Sequence, residues 1–318
     1  MPKVRTFIWM LSIVTFASGV GAVYCQDYPR KPIRIVTTEA GSGNDLVARI
    51  IAQRLSVGIG QQVIVDNRGL LAAEIVAKAE PDGYTLLAYG SPLWLAPLLR
   101  GNVPYDPVRD FSPVTAATQA PGLLVINPAV PAKTVAELIN LAKATPGQLN
   151  YGSASTGGPP HLSGELFKTM ASINIVRIPY KGTGQALNAL IGKEVQLMFP
   201  NAGSAMPYVK AGRLRALAVT SAQASALVPG LPTVAATLPG YESVAIQGIF
   251  APAKTPVTLI NRLNREIVQV LNRAEVKEIL FKAATETLGS SPQQLAATIK
   301  VEMAKWGKVI KDAGIHED

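Results

Sequence analysis

The chain has 318 residues, of which 48% are hydrophobic and 16% charged, with a formal charge of +9. That is enough apolar material for a sizeable core at a length that suits two domains, and it excludes disordered and collagen-like classes. The excess positive charge raises the question of nucleic acid, but Arg49, Arg54, Lys78, Arg100, Lys143, Lys168 and Lys193 are scattered singly. No helix-turn-helix, zinc or RNA-binding signature accompanies them, so no nucleic-acid partner is expected. The charge reads as solvated surface with some attraction for small acidic molecules.

Lys3 and Arg5 precede the apolar run "FIWMLSIVTFASGV", which is too short and wrongly flanked to span a bilayer. Residues 1–25 read as a secretory signal peptide, with cleavage fitting after Ala22 or after Cys25. Cys25 is the only cysteine, so no disulfide is possible within the chain. Tyr24 stands where a lipobox needs a small residue, which argues against a lipid anchor. The expected product is a soluble protein in an exported compartment.

Beyond the leader, "PIRIVTT", "QQVIVDN" and "YTLLAYG" are near-continuous β-type runs, as in strands covered on both faces of a parallel sheet. Leu46, Val47, Ile50, Ile51 and Leu55 recur at helical spacing between the first two, and "AAEIVAKA" is a shorter helix before the third. The alternation resumes with "GLLVINP", a helix opened by the capping box Thr134 to Glu137, "LNYGSAS", the helix of "PHLSGELFKTMA", and "INIVRIPY". It continues with the helix of "GQALNALIGK", "VQLMFPN", "SAMPYVKAG" and "LRALAVTS".

A Pro/Gly-rich passage, "LVPGLPTVAATLPGYES", then leads back through "VAIQGIFAP" to two long helices. The last starts at Ser291, with Pro292 in its first turn and Gln294 completing a capping box. It buries Leu295, Ile299, Met303, Trp306 and Ile310 and ends at Gly314. The expected architecture is two doubly wound α/β domains around a cleft. One is discontinuous (26–124 and 226–318) and the other is 125–225, with more than one crossing strand as a hinge.

Four strand-to-helix loops could line the cleft. In "TTEAGSGNDLVARI" (37–50), Gly41, Ser42 and Gly43 allow close backbone approach, and Asn44 or Asp45 can cap the following helix. The stretch lacks the third glycine of a dinucleotide fingerprint, and a tight turn with a capping acid explains it equally well. In "YGSASTGGPPHLSGELF", Ser153, Ser155, Thr156, Gly157 and Gly158 offer hydroxyls and N–H groups before a helix, either as an anion seat or as ordinary turn chemistry. His161 at that helix start reads first as a cap or packing residue. The third loop is "PYKGTGQAL", with Lys181 through Gly184, and the fourth is "MFPNAGSAM", with Asn201.

Signs of catalysis are missing: there is no Gly-x-Ser-x-Gly elbow, no Cys nucleophile after the leader and no His/Cys cluster with metal spacing. Glu39 and Asp45 could in principle work as an acid–base pair, but nothing nearby suggests a nucleophile or a metal. Binding without chemistry, cofactor or metal is the expectation. A ligand-sensing subunit and a periplasmic hydrolase are the rival readings.

The stretches "YPRKPIRIV…GSGNDLVARIIAQRL", "PDGYTLLAYG", "VPYDPVRDFSPVT", "HLSGELFKTMA", "IPYKGTGQALNALIGKEVQLMF", "AGRLRALAVTS" and "WGKVIKDAGI" resemble the Bug family, solute-binding proteins of tripartite tricarboxylate transporters. The resemblance spans essentially the whole chain after the leader. It implies a Venus-flytrap receptor of the type II-like periplasmic class that closes on a small carboxylate-bearing metabolite and hands it to membrane transporter subunits. Carried over by position, the first-lobe contacts are Gly41, Ser42, Gly43 and Asp45. Those of the second lobe are Ser153, Ala154, Ser155, Thr156, Gly157, Gly158, His161, Gly182, Thr183 and Asn201.

The chain departs from the family pattern at Thr37-Thr38-Glu39-Ala40, usually Pro-rich, and at "GLLAAEIV" after Asn67-Arg68. The first-lobe wall is therefore altered. Glu39 is expected to face the ligand and select a positively charged or N–H-donating group, the alternative being an outward, solvated carboxylate.

Overall fold

The computed structural model describes residues 28–154 and 156–316; the leader and Ser155 lie outside them. The first sheet begins as the apolar runs predict. Strands β1 (Ile33–Thr37), β2 (Val63–Asn67) and β3 (Thr85–Gly90) are parallel, with β1 in the middle and Ile33 opposite Val63. Helix α1 (Gly43–Ile59) joins β1 to β2, and α2 (Ala72–Ala77) follows a single 3-10 turn at Gly69–Leu71. Two further elements that the pattern does not predict come next, α3 (Pro92–Leu99) and the long β4 (Phe111–Pro121).

Beyond Gly122 the chain enters a second sheet with β5 (Leu123–Ile126). It continues through α4 (Val135–Ala144), β6 (Asn150–Ser153), α5 (Pro159–Ala171) and β7 (Val176–Pro179). Then follow α6 (Thr183–Ile191), the two-residue β8 (Leu197–Met198), α7 (Ala202–Lys210) and β9 (Arg215–Val219). After residues 220–243 the chain returns to the first sheet with β10 (Val244–Pro252), α8 (Val257–Leu271), α9 (Ala274–Lys282), β11 (Glu286–Thr287) and α10 (Pro292–Asp312). The sheet orders are β11-β4-β10-β3-β1-β2 and β7-β6-β8-β5-β9. Each sheet with its helices forms a lobe.

Both sheets are mixed. Strand β10 runs antiparallel to β3 and β4, and β5 runs antiparallel to β8 and β9. The parallel arrangement is confined to β2-β1-β3 and to β7-β6-β8. Those trios align their carboxyl ends on one edge of each sheet, which is where ligands bind in open α/β sheets.

Two passages connect the lobes. At the first, the Gly122 N–H donates to Thr220 Oγ1 (2.8 Å) and the Thr220 N–H donates to the Gly122 carbonyl (2.9 Å). The Thr220 hydroxyl also donates to the Ser243 carbonyl (2.6 Å), and the Ser243 N–H returns a bond to the Thr220 carbonyl (2.8 Å). Thr220 is fully buried, so one hydroxyl ties the outgoing chain to the returning one.

Helix α10 carries the expected capping box: Ser291 Oγ accepts from the Gln294 N–H and Gln294 Oε1 accepts from the Ser291 N–H. It buries Leu295, Ile299, Trp306 and Ile310, while Met303 is only partly covered. The stripe also includes a buried acid, Glu302, which accepts from Trp306 Nε1 at 2.6 Å and pairs with Lys305. A satisfied carboxylate inside an apolar stripe is invisible to periodicity. Among the described residues no helix is long and apolar enough to cross a membrane.

Candidate functional site

In the first lobe, β1 runs out through Thr38 into a loop that ends at the start of α1. Ser42 caps the helix, its Oγ accepting from the Asp45 N–H (3.2 Å) and hydrogen-bonded to the Thr38 hydroxyl (2.7 Å). Gly41 has φ +81°, a conformation that suits glycine. Asp45 turns inward, 4% exposed. Its carboxylate accepts from the Gly41 N–H (2.8 Å), from Asn67 Nδ2 (2.9 Å) and from Arg49 Nε. Burial alone would raise the Asp45 pKa; the bonds from Arg49, Asn67 and Gly41 outweigh it and hold the pKa below the usual carboxylate value. Asp45 thus spends its oxygens bracing the loop, with Asn67 also donating to the Thr38 carbonyl (2.9 Å).

Glu39 is exposed at the end of β1, and its Oε1 would lie 3.0 Å from a Cβ added at Gly69. The two departures from the family pattern therefore meet in space. Burial raises the pKa of the Tyr89 hydroxyl, and the Glu39 charge adds to the shift. The loop also meets β10: a Cβ at Gly43 would lie 2.8 Å from Gln247 Nε2, and Gln247 Oε1 accepts from the Thr118 hydroxyl (2.9 Å).

In the second lobe, β6, β7 and β8 lead into α5, α6 and α7 along the shared edge. Gly158, Gly182 and Asn201 are the N-cap residues, and none of the three supplies a side-chain cap. Helices α4 and α10 are capped by Thr134 and Ser291, whereas α2, α3, α8 and α9 also lack a side-chain cap, so what sets α5, α6 and α7 apart is their shared edge. A missing side-chain cap leaves first-turn N–H groups and the positive end of the helix dipole turned toward whatever occupies that edge. Thr183 opens α6, and a Cβ added at Gly182 would meet nothing within 4 Å. Asn201 forms an isolated antiparallel bridge with Gly122, so it sits beside the crossing between lobes.

The β6–α5 loop is built around Arg177 on β7. Arg177 Nε donates to Ser153 Oγ (2.7 Å), and its other nitrogens donate to the Ala154 carbonyl (3.2 Å) and Thr156 Oγ1 (3.3 Å). The Gly157 N–H donates to His161 Nδ1 (3.0 Å). Gly157 in turn touches the first lobe, since a Cβ there would lie 2.4 Å from Leu99 Cδ1. The loop therefore faces α3, which follows the carboxyl end of β3, across the space between the lobes. Ser155, expected among the contacts, lies outside the described residues.

His161 is 4% exposed, and burial, with the Arg177 and Lys168 charges, pushes its pKa down to about 4. The neutral ring accepts from Gly157 and so fixes the loop. Because the folded pKa is depressed, the unfolded chain takes up the proton first. The stability owed to neutral His161 is complete above about pH 6.5 and is lost as pH falls toward about 4. Denaturant unfolding of wild type and His161→Asn, which keeps an acceptor without titrating, is expected to show a shallower acid loss in the variant. The difference between pH 7 and pH 4.5 is on the order of 2 kcal/mol; parallel curves would show that the ring does not titrate in this way.

The strand ends and glycine turns were legible in the sequence. Arg177, Asn67 and Gln247 were not, because each lies in a strand whose side-chain direction only the paired sheet reveals. Among the described residues no three His, Cys, Asp or Glu side chains assemble into a group able to hold a metal ion.

The comparisons with known proteins agree with this fold. The family model described as "Tripartite tricarboxylate transporter family receptor" (TctC) matches residues 47–315. BugT of Bordetella pertussis is 32% identical over 314 residues, covering 96% of each chain. Among solved structures, R. palustris Rpa4515 with adipate is 36% identical with a TM-score of 0.74, covering 91% of this chain and 99% of its own. MatC from Rhodopseudomonas palustris with bound malate is 28% identical with a TM-score of 0.68, covering 89% and 100%. With a family model matching most of its length and a fold shared with ligand-bound relatives, the chain belongs to the tripartite tricarboxylate transporter receptor family, the Bug-type solute-binding proteins.

Proposed function

We propose that this protein is an extracytoplasmic receptor that captures a small carboxylate-bearing metabolite between its lobes and delivers it to the membrane subunits of a tripartite transporter. The observation that carries the reading is the convergence of α5, α6 and α7, without side-chain caps, on one edge of the second sheet. Three helix N-termini on one edge favour an anion and offer N–H donors to a carboxylate. The adipate and malate in the relatives are dicarboxylates, in keeping with such a seat. Export follows from the leader at residues 1–25, and the protein acts as a monomer. The lobes follow the expected division of 26–124 with 226–318 and 125–225, except that the first boundary moves back to Gly122, because Leu123 and Leu124 pair within the second sheet as part of β5; the pair of crossings at Gly122 and 220–243 forms the hinge. Ligand contacts to both lobes stabilise the closed state.

Within this reading Glu39 narrows the ligand class. An exposed carboxylate beside the first-lobe loop disfavours a second uncompensated acid there and favours a cationic or N–H-donating group, so the solute is an amino acid-like zwitterion or a nitrogen-containing ring acid. The test starts from denaturing the purified protein and identifying the co-purified acid by mass spectrometry. That acid is then titrated calorimetrically against wild type and Glu39→Gln, beside its nitrogen-free analogue. Tight binding with a smaller radius of gyration in solution scattering supports the receptor, and a preference for nitrogen that shrinks about tenfold in Glu39→Gln supports the role of Glu39. No bound acid and no response to any carboxylate would reject the receptor; an unchanged preference would reject Glu39 alone.

A further inference from the structure

We propose that Arg177 is a positioning residue that charges the second-lobe seat: anchored from behind by the buried Ser153 hydroxyl, it presents the Thr156 hydroxyl to the ligand carboxylate as an oriented donor, and so makes the site prefer anions over neutral isosteres. The inference rests on the receptor reading for the ligand class, and on geometry of its own for the residue.

The guanidinium of Arg177 is half-buried and makes no ion pair among the described residues. Its partners are neutral oxygens: Ser153 Oγ, the Ala154 carbonyl and Thr156 Oγ1. The acid whose charge acts on it, Glu165, is already engaged by the Tyr151 hydroxyl (2.6 Å) and by Lys168 (3.3 Å). Burial works against the charge and pulls the Arg177 pKa down, with Tyr151 and Glu165 only partly restoring it. An arginine held this way among neutral groups is costly unless an anion completes it.

The donor count fixes the direction of the relay. A guanidinium only donates, so both hydroxyls accept from Arg177 and have their own hydrogens left to give. Ser153 is fully buried, and among the described residues its hydroxyl has the Ala154 carbonyl at 3.5 Å, the outer limit of a hydrogen bond, so it serves as the inner anchor of the guanidinium. Thr156 stands one residue before Gly157, whose N–H is taken by His161 and whose Cα faces Leu99 of the opposite lobe. The Thr156 hydroxyl thus sits in the loop that approaches the first lobe. A hydroxyl polarised by a cation behind it is a stronger donor to an anion in front of it.

The test compares wild type, Arg177→Gln, Arg177→Lys, Thr156→Val and the double variant Thr156→Val/Arg177→Gln. Adipate, malate and a pyridine dicarboxylate, which carries the ring nitrogen that Glu39 favours, are the probes, their diamides the neutral controls, and calorimetry gives the carboxylate-over-diamide ratio. The expected result is a ratio at least tenfold lower in Arg177→Gln and in Thr156→Val, within about threefold of wild type in Arg177→Lys, and no lower in the double variant than in either single one. Crystals soaked in sodium bromide give an arm that needs no cognate ligand: bromide is expected beside Thr156 in wild type and Arg177→Lys and is lost in Arg177→Gln. An unchanged ratio in Arg177→Gln, bromide retained there, or no bromide at the wild-type loop would overturn the proposal. Failure of wild type to bind any carboxylate would count against the receptor reading, while the bromide arm still decides Arg177.

Discussion

Replacing Gly157 with alanine is expected to weaken ligand binding at least thirtyfold. Gly157 has φ +69°, where an L-residue pays about 1–2 kcal/mol. The added Cβ would also lie 2.4 Å from Leu99 Cδ1 and 2.9 Å from Leu99 Cδ2. Leu99 is 7% exposed at the end of α3, so its rotamer has little room to retreat. The cheapest relief is to move the loop away from the first lobe, which strains the His161 bond to the Gly157 N–H and opposes closure. A loss of about 2 kcal/mol corresponds to thirtyfold in affinity.

The steric share can be separated from the backbone share. Leu99→Ala in the Gly157→Ala background removes the clash and leaves the φ penalty, so the double variant is expected to recover most of the affinity but not the stability. Four calorimetric titrations with the co-purified acid complete the cycle. Equal affinities in wild type and Gly157→Ala would mean that loop and α3 do not meet in the bound state.

How much of this was legible follows from what each element asks of the sequence. Strands β1 and β3 are continuous apolar runs with turns beside them, and α1 and α10 carry clear stripes. The Ser291 cap of α10 is as expected, whereas α1 is capped by Ser42 rather than by Asn44 or Asp45, because the helix already starts at Gly43. Strand β4 hides because it holds Pro113, Thr115, Thr118 and Gln119, polar or strand-breaking residues whose partners lie more than a hundred residues away, as Gln247 does for Thr118. Helix α3 hides because Pro92 and Pro97 punctuate eight residues with no polar face. The insertion of β10 between β3 and β4 is a choice of strand order, and hydropathy carries no information about it.

The site divides along the same line. Glycine turns at strand ends announce themselves, but the groups that make them rigid do not. "INIVRIPY" reads as one more strand until Arg177 is seen reaching along it to Ser153 and Thr156. Asp45 reads as a candidate ligand contact until its oxygens are traced to Gly41, Asn67 and Arg49.

Asp45→Asn is accordingly expected to cost about 2–4 kcal/mol of stability and to loosen the first-lobe loop. The substitution is isosteric, yet it sets an amide donor among three donors, so the Gly41 N–H or the Asn67 amide loses its acceptor in a site that is 4% exposed. The charge of Arg49 is a smaller part of the cost, because its side chain is 56% exposed and screened by water. Arg49→Ala is therefore expected to cost under about 1 kcal/mol. The pH dependence follows from the depressed carboxyl: its contribution is present above the unfolded value near 4 and is lost as pH falls through the lower folded value. Denaturant unfolding at pH 7 should separate wild type from Asp45→Asn clearly, and the gap should narrow below about pH 4. A cost in Arg49→Ala equal to that in Asp45→Asn would move the weight from the buried hydrogen bonds to the ion pair, and Asp45 would then be a surface charge partner rather than the brace of the loop.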